Sequence, residues 1–218
     1  MLIEAEKLII ETRNGKLEAL LDKPNESDSK DYANDYIAVC CHPHSLHGGT
    51  LTNKVVYTLS RTLAGQGIPS IRFNFRGVGN SEGKYDEGIG EQCDLVNIVS
   101  WMKLRFPEKK LILTGFSFGA FVSIMAAHNI SPTILISVAP PVGRFDFSQK
   151  EMPLCPWFVL QGNEDELVKC EDVEIWSRKQ TSNLKFIKMD GASHFFHGKL
   201  IDLRSEIEVI IHRAKQEF

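Results

Sequence analysis

Apolar and polar residues alternate along two segments near the start, LIEAEKLIIET (2–12) and GKLEALLDK (15–23). Such alternation puts the apolar side chains on one face, so the pair is expected to form a hairpin at a sheet edge. A polar stretch follows, Pro24 to Tyr36, and then the rhythm changes. Short continuous apolar runs appear: YIAVCC (36–41), IPSIRFNF (68–75), KLILTG (110–115), TILISVA (133–139), PWFVLQG (156–162) and LKFIKM (184–189). Longer helical patterns lie between them, at 51–67, 89–106, 117–129, 170–181 and from about His197 to Gln216. Runs that are apolar throughout suit strands buried on both faces. Their alternation with amphipathic helices predicts an α/β chain with a mostly parallel sheet covered on both sides. The polar stretch is expected to be one surface loop rather than a boundary, giving a single domain over 1–218.

Composition adds mainly exclusions. The chain has 218 residues, 43% of them hydrophobic, enough to bury one core. A net charge of −3 leaves no electrostatic footprint for nucleic acid. The opening MLIEAEKLII lacks the basic and apolar regions of a secretory signal, and no run reaches the roughly 20 apolar residues needed to span a bilayer. The five cysteines are scattered and odd in number, so reduced thiols and a cytoplasmic setting are expected.

In a parallel sheet, ligands bind beyond the carboxyl ends of the strands, so chemistry is sought in the loops that follow each run. GFSFG (115–119) follows the apolar LILT and opens a helical run. That is the setting of a G-x-S-x-G nucleophile elbow, with Ser117 as nucleophile. Glycines flank the serine because side chains there would collide with the neighbouring strand and helix, and the new helix N-terminus favours developing negative charge. A serine hydroxyl needs a base. Of seven histidines, His128 and His212 fall within helical patterns, and His42, His44 and His47 cluster after the first apolar run. GASHFFHG follows the last one and offers His194, with His197 nearer the final helix as the fallback. An acid must then orient the imidazole. The loop after PWFVLQG supplies Glu164, Asp165 and Glu166, and Asp146 lies in the preceding connection.

Acyl transfer also requires oxyanion donors. One is expected from the N–H of Phe118, and the other from the loop Cys41–Gly49, by position His44, with Ser45 as the alternative. The same loop contains H-x-H-x-x-H, a plausible metal-ligand spacing. No carboxylate or cysteine is clearly placed beside it, so the expectation is no metal. RGVGNSEG (76–83) has the spacing G-x-G-x-x-x-G with no helix directly after it, a weak match to a dinucleotide fingerprint. It is expected to be a shaped loop near the site.

Together GFSFG, RFNFRGVGNSEG, GNEDELV and GASHFF resemble the α/β-hydrolase superfamily over nearly the whole chain. CHPHSLHGGTLTNKVV is similar to the H-P-H-P-x-x-G-G loop of a bacterial subfamily of small hydrolases akin to dienelactone hydrolases and carboxylesterases. Ser45 stands where that subfamily has its second proline. The resemblance implies the α/β-hydrolase fold and a triad in the order Ser, Asp, His. The turn G-x-x-D-x-x-V implies that Asp165 is the acid. With that triad the expected activity is a serine hydrolase that cleaves an ester or thioester of a small or exposed acyl substrate through an acyl-enzyme, with no metal or organic cofactor. The alternatives are a peptidase or amidase on the same fold, or a non-catalytic binding protein; homodimerisation is left open. Where a lid is commonly inserted, APPVGRFDFSQKEMPLC (139–155) is short, so a minimal lid and an open site are expected. Phe145, Phe147 and Met152 are candidates for an apolar rim.

Overall fold

The computed structural model describes residues 4–24, 35–147, 151–180 and 183–217. Most of the polar stretch after Pro24 lies outside them. The alternating segments form strands β1 (Glu4–Thr12) and β2 (Gly15–Lys23), antiparallel with Thr12 opposite Gly15. Thr12 closes their turn: its Oγ1 donates to Gly15 O and accepts from Asn14 N.

The continuous runs form β3 (Tyr36–Cys41), β4 (Ser70–Phe73), β5 (Lys110–Phe116), β6 (Ile134–Val138), β7 (Trp157–Gly162) and β8 (Leu184–Met189). The sheet order is β1-β2-β4-β3-β5-β6-β7-β8. Strands β4 to β8 run parallel, and β2 joins β4 antiparallel. The expected edge hairpin is therefore in place, and the strand that leads into Ser117, β5, is central.

Five helices cover the sheet: α1 (Lys54–Gly65), α2 (Ile89–Arg105), α3 (Phe118–Ile130), α4 (Cys170–Arg178) and α5 (Leu200–Glu217). The pleat divides each strand between two cores. Ile37, Val39 and Cys41 pack with α2, α3 and α4, whereas Ala38 and Cys40 pack with α1 and α5. Helix α1 shows the logic. Asn53 caps it by accepting from Val55 N and Val56 N, and Val55, Val56, Leu59 and Leu63 form its buried stripe. Each such side chain withdrawn from water contributes about 1.5–3 kcal/mol.

Among the boundaries that differ from the sequence expectation, two bear on the site. The run 68–75 contributes only Ser70–Phe73 to the ladder. Pro69 has no N–H to give, and beyond Phe73 the chain turns to other acceptors: Asn74 N donates to Glu18 O and Phe75 N to the His42 ring. Helix α5 begins at Leu200, so His197 lies in the turn before it.

A buried ion pair steadies the loop that leaves β3. Arg72 reaches Asp22 through Nε (2.8 Å) and Nη2 (3.1 Å), Ser60 Oγ donates to the same carboxylate, and Arg72 Nη1 donates to Leu51 O. Strand β2, strand β4, helix α1 and the loop are thereby joined at one point.

Candidate active site

Ser117 stands between β5 and α3 with φ 54° and ψ −117°, a backbone conformation that costs a non-glycine residue about 1–3 kcal/mol. Its neighbours show why the turn cannot relax. Ser117 N donates to Val138 O on β6. A Cβ on Gly115 would lie 2.2 Å from Gly119 O, and one on Gly119 would lie 2.3 Å from Cys41 O. Strand and helix thus meet at van der Waals distance on both sides of the serine, as the two glycines imply. Serine at this position ordinarily caps its helix, but here the side chain makes no capping bond. It faces His194 instead.

Ser117 Oγ lies 3.1 Å from His194 Nε2, and His194 Nδ1 lies 2.8 Å from Asp165 Oδ2. With Nδ1–H donated to the carboxylate, Nε2 is left to accept the serine proton. The Asp165 side chain is fully buried and that of His194 is 3% exposed. Burial pushes the Asp165 carboxyl up. The hydrogen bond and charge of His194 and the N–H groups of Val168 and Leu167 outweigh it, and the net shift is downward. Those two N–H groups occupy Oδ1 at 2.8 Å each. Gln161 Nε2 donates to Oδ2 at 2.8 Å, so the carboxylate is held on every side.

The other candidates fall elsewhere. Glu166 Oε2 accepts His194 N at 3.0 Å, which fixes the backbone of the imidazole rather than its ring. Glu164 is exposed, and Asp146 lines a different groove. His197 is exposed in its turn, and the structure gives Ser117 Oγ His194 as its imidazole partner.

The loop after β3 packs against the elbow. Phe118 and His44 rings are 5.0 Å apart, and neither residue's backbone N–H is engaged in a hydrogen bond among the described residues. The loop closes on itself through His47 N and Gly49 N, both donating to His44 O. The Ser45 hydroxyl is buried without a partner among the described residues.

The three clustered histidines do not converge. His42 is fully buried, accepts Phe75 N on Nε2 (3.0 Å) and donates from Nδ1 to Pro43 O (2.6 Å). Burial holds its pKa down at about 4, against a smaller upward pull from Pro43 O. His44 stacks on His47 at 4.5 Å, accepts Leu46 N on Nδ1, and turns Nε2 to the Tyr85 hydroxyl at 3.1 Å. Among the described residues no three His, Cys, Asp or Glu side chains are arranged to hold a metal. In the loop 76–83, Glu18 takes the place an anion would occupy: it accepts Asn80 N at 2.9 Å, and Oε2 lies 2.3 Å from where a Gly79 Cβ would sit.

Ser117 and His194 open into a cavity of about 360 Å³, walled by Phe118, Phe145, Pro141 and Val168, with Arg144 at its rim. Phe145 is therefore part of the rim. Phe147 is buried against Phe121 and Trp176, and Met152 is packed against the core. A larger groove, about 980 Å³, lies along α2 and α3, and neither Ser117 nor His194 lines it. Sequence reasoning missed Gln161, Glu166 and Arg144. Only Glu166 had been weighed, for a different task.

Comparison with known proteins agrees with the fold. Residues 22–152 match a family profile described as X-Pro dipeptidyl-peptidase (S15 family). An uncharacterized protein of Rickettsia prowazekii (strain Madrid E) is 38% identical over 175 residues, covering 75% of this chain and 73% of its own. An α/β serine hydrolase without a lid from Xanthomonas campestris superposes with a TM-score of 0.90 at 41% identity, over 96% of this chain and 94% of its own. An α/β serine hydrolase homologue from Coxiella burnetii gives 0.86 at 42% identity, over 93% and 95%.

Proposed function

The chain belongs to the S15 family within the α/β serine hydrolases, and from that premise we propose that it is a carboxylesterase, cleaving ester or thioester bonds of small or exposed acyl substrates. The observation that carries this reading is the continuous relay from Ser117 Oγ through His194 to a fully buried Asp165. In the first step His194 Nε2 takes the serine proton as Oγ bonds to the substrate carbonyl carbon. The carbonyl oxygen gains charge, and the unused N–H groups of Phe118 and His44 are the donors for it. As the tetrahedral adduct collapses, the bond to the leaving alkoxide or thiolate breaks and His194 returns the proton to it. Water then repeats the sequence on the acyl-serine and releases the acid. No step calls for a metal or an organic cofactor. The free thiols of all five cysteines support a cytoplasmic setting.

The family description favours a second reading, a peptidase that removes dipeptides. Such an enzyme works beside a substrate's N-terminal ammonium, for which a carboxylate in the pocket would be the natural partner. Among the described residues that wall the Ser117 cavity none is Asp or Glu, and Arg144 is there instead. This supports the esterase reading over the peptidase.

The test is a fluorophosphonate probe together with hydrolysis of p-nitrophenyl acetate and butyrate. Wild-type protein is expected to label and to turn over both esters. Ser117→Ala should lose labelling and lower kcat by more than about 1000-fold. Folded wild-type protein that neither labels nor hydrolyses either ester would remove the enzymatic reading.

A further inference from the structure

The connection between β6 and β7 places one charged side chain at the Ser117 cavity. Pro141 to Arg144 forms a tight turn, with Arg144 N donating to Pro141 O and Gly143 at φ 79°. From this turn Arg144 reaches the acid loop, where Nε (3.2 Å) and Nη2 (2.9 Å) both donate to Leu167 O. Leu167 N in turn donates to Asp165 Oδ1. The guanidinium is thus fixed relative to the relay through a single residue.

Its partner is a neutral carbonyl. Arg61, Arg72, Arg76, Arg105, Arg178 and Arg204 each lie against a carboxylate, whereas Arg144, like Arg13 and Arg213 away from the cavity, has no carboxylate partner among the described residues. Arg144 lines the cavity, Leu167 O occupies its Nε–Nη2 edge, and the Nη1–Nη2 edge has no partner among the described residues. That edge presents two parallel N–H donors, the fork that matches a carboxylate. Phe145, Pro141 and Val168 line the same cavity, and Arg144 itself is exposed, so its charge is partly screened by water and salt and acts over a short range.

We propose that Arg144 determines specificity, and that the preferred substrate is an ester or thioester carrying a carboxylate or similar anion close to its scissile carbonyl. The proposal rests on the acyl-transfer reading of Ser117 and adds the substrate's charge to it. The competing role for Arg144 is a staple between the connection and the acid loop. A staple is indifferent to the charge of the substrate, so charge selectivity separates the two.

The experiment measures kcat/KM for two matched pairs: mono-p-nitrophenyl glutarate against p-nitrophenyl pentanoate, with the anion on the acyl side, and 4-acetoxybenzoate against phenyl acetate, with the anion on the leaving group. Wild-type protein is expected to prefer the anionic member of at least one pair, less so as salt is raised. In Arg144→Met the ratio of anionic to neutral kcat/KM in that pair should fall about 2- to 5-fold. Arg144→Lys, which keeps the charge and loses the fork, should retain part of the preference, and thermal melts confirm that each variant is folded. A wild-type ratio at or below one in both pairs, or a ratio unchanged in Arg144→Met, overturns the proposal while leaving the esterase reading intact. No hydrolysis of any of the four, with no fluorophosphonate labelling, overturns both.

Discussion

His42 and His194 are both nearly withdrawn from water, but their partners differ in kind. His194 faces a carboxylate, so a positive charge on its ring has a counter-ion. His42 lies between a backbone N–H and a backbone carbonyl, and a proton added to Nε2 would confront the N–H of Phe75. Burial accordingly holds its pKa at about 4 in the fold, below an ordinary value of 6.5. Between these values the unfolded chain binds a proton that the folded chain refuses. The stability involved is fully present above pH 6.5 and is lost as pH falls toward 4, about 3 kcal/mol in all. Urea unfolding across this range should show a smaller acid loss in His42→Gln than in wild type; equal slopes would mean that His42 is not the group responsible. The loops that carry Ser117, Asp165 and His194 were legible in the sequence because each follows an apolar strand, whereas the choice of Asp165 among its acidic neighbours came from the resemblance. His42, Gln161 and Arg144 were not. Phe75 and Leu167, the partners of His42 and Arg144, become neighbours only when separate loops meet at the end of the sheet, and the local contact of Gln161 with Asp165 carries no sequence pattern of its own.

At the scale of elements, the strand–turn–helix unit around Ser117 is the most constrained part of the chain. Helix α3 starts against the end of β3, and Gly119 leaves space for no side chain there. Gly119→Ala is expected to force α3 and β3 apart, to cost about 1–3 kcal/mol in a thermal or urea melt, and to abolish fluorophosphonate labelling. A variant of wild-type stability with full labelling would show that the contact is looser than described. The strands were legible as apolar runs because helices cover both faces of the sheet. The end of β4 was not legible, since Phe75 extends the run IPSIRFNF while the N–H groups of Asn74 and Phe75 leave the ladder for Glu18 O and His42 Nε2. Similarly, the apolar rhythm of α5 extends back towards His197, but the turn at 197–199 keeps those residues out of the helix.

For the molecule as a whole, the short connection between β6 and β7 decides how substrate arrives. Among the described residues it contains neither a helix nor a strand, and Ser117 opens directly to solvent through the cavity beneath Arg144. No cap has to move, so the rate should follow dissolved ester smoothly through its solubility limit. A sharp rise at the appearance of an oil–water interface would point to a hidden closed state. Also at this scale, the order in which the parts lie along the chain sets when chemistry can begin. The loop with His44 comes first, then Ser117, then Asp165, and the base is last, on a loop beyond the outermost parallel strand. The 77 residues between Ser117 and His194 represent about 4–15 s of ribosomal synthesis. Throughout that interval the serine lacks the ring of His194, so under the proposed mechanism the nascent chain carries an unactivated hydroxyl until β8 docks on β7 and brings its loop to the site.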